Sequence, residues 1–329
     1  MSVYLESCIN LLKKEFKSEE MQKTVNAFLA KASFSSKWLL YSDYCLDDNS
    51  KPNDVITFVM LPFISVSEYQ EIDKKLGETQ PTDIKHAKSV DEEFMDLIKQ
   101  KAVFSFSFIV NDRQRLFGDT EEEQINTVQQ LLTNLKDTFA TWRNNAKEGA
   151  PIDYYKNSVK LFQRQLKELF QKKDVKNYID ILLISILGAI YSAEILKNLP
   201  KIDVFGWFPD RDKTNEACGQ MIVPVFNALQ HNHIGGRQFQ FVSSTPDSTI
   251  VPFYDNENRI ADVICGTLAD YNIDDNLVSK DKFSEVLEGL MADNVFMKVY
   301  RLFMEKDLAH LGTILISSKP TKDNSDVKK

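Results

Sequence analysis

Residues 202–214 read IDVFGWFPDRDKT, an apolar run at 204–208 that stops at Pro209 and is followed by Asp210, Arg211, Asp212 and Lys213. The run has the composition of a buried strand. Residues i and i+2 of a strand face the same side, so Asp210 and Asp212 can point together into one site. The bland alternative is a pair of turn residues on a solvated loop. Gly206 and Phe208 share their parity, and Gly206 leaves room for a backbone or substrate to approach. Asp203 falls on the opposite side.

Working back from this stretch, Pro200 ends an apolar helix over about 175–198. Its most apolar part, 181–193, is shorter than the roughly 20 residues a bilayer requires and is flanked by Asp180 and Glu194. It reads as a buried core helix. Two further helices precede it. One carries an apolar stripe of Ile125, Val128, Leu132, Leu135, Phe139 and Trp142, and the other covers about 152–172. Before this block lie three strands. Runs 38–41 and 55–61 flank a polar 49–53 loop and form a hairpin, and 102–110, with its alternating Phe and Ser, forms the third. Helices are expected within 2–33 and at 91–100.

Working forward, the pattern gives a helix at 215–230 kinked by Pro224, a strand at 238–244 and a helix at 259–272. One or two helices follow over 281–310, then a short strand at 313–317 and a disordered tail at 319–329. A three-stranded meander followed by β-α-β-α is an α/β fold with a mixed sheet, because crossover helices join parallel strands. The expected organisation is an N-terminal helical extension (1–37), a core in two parts (38–118 and 200–275) and a helical insertion between them (119–199). C-terminal helices with a short strand (276–318) and the tail (319–329) complete it.

The chain has 329 residues, 43% hydrophobic and 27% charged, with a net charge of −8. That is a globular composition with enough length for a sizeable core. The acidic balance argues against tight non-specific nucleic-acid binding over the whole surface. The four cysteines, Cys8, Cys45, Cys218 and Cys265, form no C-x-x-C pair, which suits a reducing cytosol. The N-terminus lacks the features of a signal peptide. A soluble cytoplasmic protein is expected.

Four words in chain order carry a resemblance: YSDYCLDD (41–48), TDIKHAK (82–88), WFPDRDK (207–213) and NRIADVICG (258–266). Together with the element order, they resemble the RNase H-like superfamily. They are closest to a bacterial and phage branch known mainly as a domain of unknown function. That branch has a Y-x-D-E-S-like first strand, an E-x-H/K-x-S-K-like word after the hairpin and a Q-x-A-D-x-x-x-G helix. The resemblance implies an RNase H-like mixed sheet with an inserted helical subdomain. It also implies carboxylates on the first strand, at the end of the fourth and on a late helix, gathered around divalent metal. Carried over by position, the catalytic residues are Asp43, Asp83, Asp210 and Asp262. The metal ligands are Asp43, Asp210 and Asp262, with Asp212 as the alternate to Asp210. Tyr44 and Cys45 stand where the branch has E-S, Asp83 replaces a Glu, and Asn258 or Arg259 stands near the expected Gln.

The residue types suit that chemistry. Phosphodiester hydrolysis needs an activated water, neutralised phosphoryl charge and a stabilised leaving oxygen, which divalent ions supply. Mg²⁺ and Mn²⁺ prefer carboxylate oxygens, and no dense His or Cys cluster suggests zinc. Carboxylates so gathered repel and are expected to show raised, coupled pKa values. Asp43 inside an apolar strand and Asp262 among Ile260, Ala261, Val263 and Ile264 are the least expected as plain surface acids. Asp47, Asp48 and Asp270 read as loop or helix-surface residues.

Lys85, His86 and Lys88 are candidates for phosphate contact or proton transfer, against a solvated turn. Residues 151–176 carry seven bases against three acids. Lys160, Arg164 and Lys167 there, with Lys85 and Lys88, are the candidate nucleic-acid contacts, and Tyr154, Tyr155 and Phe162 are candidates to stack bases. His231 and His233 read as a polar helix end, and Cys45 as a small buried residue. Ser243 and Ser244 have no evident triad partners. The leading expectation is a metal-dependent nuclease acting on RNA or DNA. The alternative is a non-catalytic scaffold on a degenerate RNase H-like fold, in phage–host conflict, with a protein partner at the helical insertion. A small-nucleotide hydrolase using the same acids is a third class.

Overall fold

The structure, a computed structural model, describes residues 2–32, 35–172, 174–244, 252–306 and 308–318. Seven strands form one sheet: β1 (Lys37–Cys45), β2 (Val55–Pro62), β3 (Phe104–Ile109), β4 (Val204–Pro209), β5 (Gln240–Ser243), β6 (Met297–Glu305) and β7 (Leu308–Ile314). Their order is β5-β4-β1-β2-β3-β6-β7. β1, β2 and β3 pair as an antiparallel meander, and β4 joins β1 in parallel. β5 is parallel to β4, β6 is parallel to β3, and β7 returns antiparallel on β6. The helices are α1 (Val3–Phe16), α2 (Glu19–Lys31), α3 (Val66–Thr79), α4 (Glu92–Gln100), α5 (Glu121–Asn144) and α6 (Ile152–Lys172). α7 (Lys176–Leu196), α8 (Lys213–Gln220), α9 (Ile222–His233), α10 (Asp255–Asp270) and α11 (Asp281–Val286) follow.

Strand alternation divides the core into two layers. Trp38, Leu40 and Tyr44 of β1, with Phe58 and Phe106, pack against α1, α2, α7 and α9. Tyr41, Val59 and Phe208 face the other way, against α3, α4, α10 and α11. α7 is long and apolar enough to cross a membrane, yet it is almost wholly buried among the other elements. It is the expected core helix, and within the 119–199 segment it lies on the sheet itself. α5 and α6 pack outside it through Phe139, which stacks on Phe162 at 5.8 Å.

Several expectations are corrected. The helical reading of 281–310 holds only for its first part: α11 runs into a wider helical turn at Leu287–Met291, and the chain then enters the β6–β7 hairpin. MKVYRLFME (297–305) is apolar at both helical and alternating spacing, and pairing with β3 decides for a strand. The break in 215–230 lies at Ala217–Gly219, where Cys218 and Gly219 adopt positive φ. Pro224 sits in the first turn of α9, where its missing N–H has no helical partner to lose. Gly206 does not open space for a substrate. A Cβ there would meet the Phe208 ring at 2.6 Å, so the glycine admits a core aromatic. Asp270 is buried, held by Lys51 Nζ at 2.6 Å and by the Ser279 N–H at 2.6 Å. The 319–329 tail lies outside the described residues.

Arg113 pins the hairpin to α7. It is buried and reaches Asp47 at 2.8 Å, Asp180 at 2.6 Å, and Asp54. Asp47 also takes Lys176 at 2.9 Å. A loop acid and the acid in the first turns of the apolar helix thus share one buried cation. Removing one member of a buried ion cluster leaves the other charges uncompensated. Arg113→Ala is expected to lose about 3–5 kcal/mol in urea unfolding. The double variant Arg113→Ala/Asp180→Ala is expected to recover part of that loss, and simple additivity of the two single losses would contradict the coupling.

Candidate active site

Parallel pairing of β1 with β4 builds the site. The register sets Tyr41 opposite Phe208 and Ser42 opposite Pro209, and the Asp210 N–H then donates to the Ser42 carbonyl at 2.8 Å. Alternation puts Tyr41 and Phe208 on the α10 side of the sheet, with rings 6.1 Å apart. One row further, Asp43 and Asp210 follow on that same side at the carboxyl ends of neighbouring strands. α10 lies across it, and the Cys265 thiol on that helix, which donates to the Val55 carbonyl at 3.6 Å, lies beside the Asp43 carboxylate. Asp262, almost one turn earlier on α10, accepts the Ile84 N–H at 2.6 Å. Asp43, Asp210 and Asp262 are each half-buried.

The 82–88 segment closes one side. It can lie close to α10 because residue 266 is glycine: a Cβ would meet Ile84 Cγ2 at 2.5 Å. Lys282, itself buried, donates from its Nζ to the carbonyls of Ile84 and Ala87 and fixes this segment. Asp83 pairs with Arg259 and stands 3.4 Å from Lys85 Nζ. Arg259 also reaches Asp255 at 2.8 Å. Asp83 is therefore held beside cations at the rim. Asp212 caps α8, its Oδ1 accepting the Thr214 N–H at 2.6 Å, which leaves Asp210 as the β4 acid turned to the site.

The electrostatics match the gathering. Burial, then the charges of Asp262 and Asp210, push Asp43 well above the usual carboxylate range, with the nearby Tyr44 amide and Cys265 thiol opposing. Burial pushes Asp262 up to about 6, with the Ile84 amide, Arg259 and Lys85 opposing and Asp210 adding. Burial also raises Asp210, with Asp255 and Asp212 adding to it. Cys45 is pushed up to about 12 by burial and by Asp43, so its thiol stays protonated and is no nucleophile. Tyr44 faces the opposite core layer, its hydroxyl 2.7 Å from Ser42 Oγ. Among the described residues, no three His, Cys, Asp or Glu side chains form a ready-made metal-binding group.

The remaining candidates are placed as follows. Lys85, His86 and Lys88 are exposed. Lys160, Arg164 and Lys167 are exposed along α6, with Arg164 3.8 Å from Glu168. Phe162 is wholly buried, so it cannot stack bases, and Tyr154 and Tyr155 are half-buried against Phe139. His231 packs on Trp142 at 4.9 Å, and His233 ends α9. Sequence reading missed Cys265 and Lys282 as site residues. It named Asn258 only as standing near the expected Gln; that residue, one turn before Asp262, is buried with neither its Oδ1 nor its Nδ2 hydrogen-bonded. Polar residues inside the apolar 258–266 word were the available signal for Asn258 and Cys265. Lys282 had none. No family model matches the chain, and no curated protein or solved structure matches it either.

An acid whose folded pKa lies above its unfolded value binds more protons folded than unfolded between the two. Stability therefore falls as pH rises through that window. For Asp262 the window runs from 3.8 to about 6. Asp262→Asn, which can still accept from Ile84, is expected to raise stability in metal-free buffer at pH 8 by on the order of 2 kcal/mol. Little change is expected at pH 3. Thermal melts at both pH values check this, and equal destabilisation at both would contradict it.

Proposed function

We propose that this chain is a metal-dependent phosphodiesterase of RNase H-like type, acting on RNA or DNA. The observation that carries the reading is the placement of Asp43 and Asp210 at the ends of the paired strands β1 and β4, on the face across which α10 lays Asp262, with burial raising all three acids and the charges of Asp262 and Asp210 adding at Asp43. The β5-β4-β1-β2-β3 order, with β2 alone antiparallel to the rest, supports it too. So does the distribution of acids over a first strand, a fourth strand and a late helix.

The donor set fits a hard divalent ion, since all three side chains offer carboxylate oxygen. Asp43, Asp210 and Asp262 would hold Mg²⁺ or Mn²⁺. Bound there, the ions supply Lewis acidity and an activated water. Asp262 is oriented by the Ile84 amide, so it presents its other lone pairs to the site. Lys85 at the rim is a cation for a substrate phosphate, and the exposed bases of α6 are a second basic surface for a nucleic-acid backbone.

A second reading is a non-catalytic binding module on the same fold. The lack of a ready-made three-residue metal group among the described residues favours it. Cleavage of single- and double-stranded RNA and DNA across a Mn²⁺ and Mg²⁺ titration separates the two. The phosphodiesterase reading expects metal-dependent cleavage that falls at least ~100-fold in Asp43→Asn and Asp210→Asn. Asp212→Asn, which keeps a helix cap, is expected to stay within a few-fold of the parent. No cleavage of any substrate, together with no Mn²⁺ shift of the melting temperature, would favour the binding module.

A further inference from the structure

Glu257 lies on α10 outside the three-acid site. It is 1% exposed, and neither carboxylate oxygen has a hydrogen-bond partner. It lines a cavity of about 20 Å³ together with Leu39, Tyr41, Ile72 and Tyr69. The Tyr41 hydroxyl, also fully buried, has no hydrogen-bond partner. The Tyr69 hydroxyl donates to the Phe253 carbonyl at 3.3 Å, which leaves its lone pairs able to accept. Phe63, 5.5 Å from the Tyr69 ring, and Glu68 also line the cavity.

A buried carboxylate needs a proton or a cation. Burial, with the negative charges of Asp73 and Asp255 adding, pushes Glu257 up to about 8 against the opposing influence of the neighbouring Tyr69 hydroxyl. Neither acid brings a spare cation. Asp73 accepts from Asn256 at 2.9 Å, and Asp255 is paired with Arg259. The cavity holds about one non-hydrogen centre. Two carboxylate oxygens and two tyrosine hydroxyls offer four acceptors, which matches a group with three or four N–H donors. Aromatic walls add cation–π attraction. A divalent ion needs six or more oxygens or retained waters, for which there is no space.

We propose that this slot binds one ammonium group, as the free ion or as the tip of an alkylamine, on the Glu257 carboxylate between Tyr41 and Tyr69. The proposal stands independently of the phosphodiesterase reading.

Thermal melts of the full chain at pH 8 and constant ionic strength test it, using chloride salts of ammonium, methylammonium, propylammonium and tetramethylammonium. Ammonium or a primary amine is expected to raise the midpoint by at least ~2 °C between 1 and 100 mM. Tetramethylammonium, which has no N–H and exceeds the cavity, is expected to raise it not at all. A response to ammonium alone identifies the free ion, and an equal or larger response to propylammonium identifies an alkylamine tip. Glu257→Gln is expected to fold and lose the response. Should that variant fail to fold, Tyr41→Phe is expected to need about tenfold more ligand for the same shift. The same response to all four salts, a full response in Glu257→Gln, or an unchanged midpoint concentration in Tyr41→Phe would overturn the proposal and leave a protonated Glu257.

Discussion

Ser42 links the two strands on which the site depends. Its carbonyl accepts the Asp210 N–H at 2.8 Å, which is the last rung of the parallel β1/β4 ladder. Its hydroxyl accepts the Trp207 indole N–H at 3.1 Å and lies 2.7 Å from the Tyr44 hydroxyl. All three side chains are buried in the layer facing α7, so the polar contacts are satisfied without water. A one-residue slip of β4 against β1 would move every β4 side chain to the other face. Asp210 would then point toward the α7 layer, away from Asp43. The register of one strand pair therefore decides whether there is an acidic site.

The layer opposite carries the electrostatic consequence. Asp43 and Asp210 end neighbouring strands and Asp262 lies on the helix across them; burial favours the protonated form of all three, against directed hydrogen bonds and cations kept at the rim. Arg259 and Lys85 stand beside Asp83, while the Ile84 amide orients Asp262. Elsewhere the same problem is solved by direct pairing. Asp47, Asp54 and Asp180 share Arg113, and Asp270 takes Lys51. So paired, Asp47 and Asp270 are held below the usual carboxylate range, whereas burial raises Asp43, Asp210 and Asp262, and Asp180 too despite its Arg113 partner.

The five strands around the site were legible because their runs are short, apolar and bounded by turn residues. Asp43 and Asp262 stood out because a charge within an apolar word has little reason to be there unless it works. The choice of Asp210 over Asp212 was not legible: both share strand parity, and only the start of α8 shows that Asp212 is a helix cap. The β6–β7 hairpin was hidden because Met297, Tyr300, Phe303 and Met304 satisfy a helical period, and 305–308 lacks the glycine or Asn-Gly that marks a tight turn. Arg113, Lys282 and Glu257 act through partners far away in sequence, such as Asp180 for Arg113 and Ile84 for Lys282. No local pattern announces such contacts.

The central claim is that β1, β4 and α10 deliver Asp43, Asp210 and Asp262 to one divalent-ion site. Anomalous scattering from crystals grown with MnCl₂ addresses it directly. The account predicts a manganese peak bounded by those three carboxylates, absent from crystals of Asp43→Asn. No peak there at saturating Mn²⁺, or a peak ligated by Asp212 or Asp83 in place of Asp210, would contradict it.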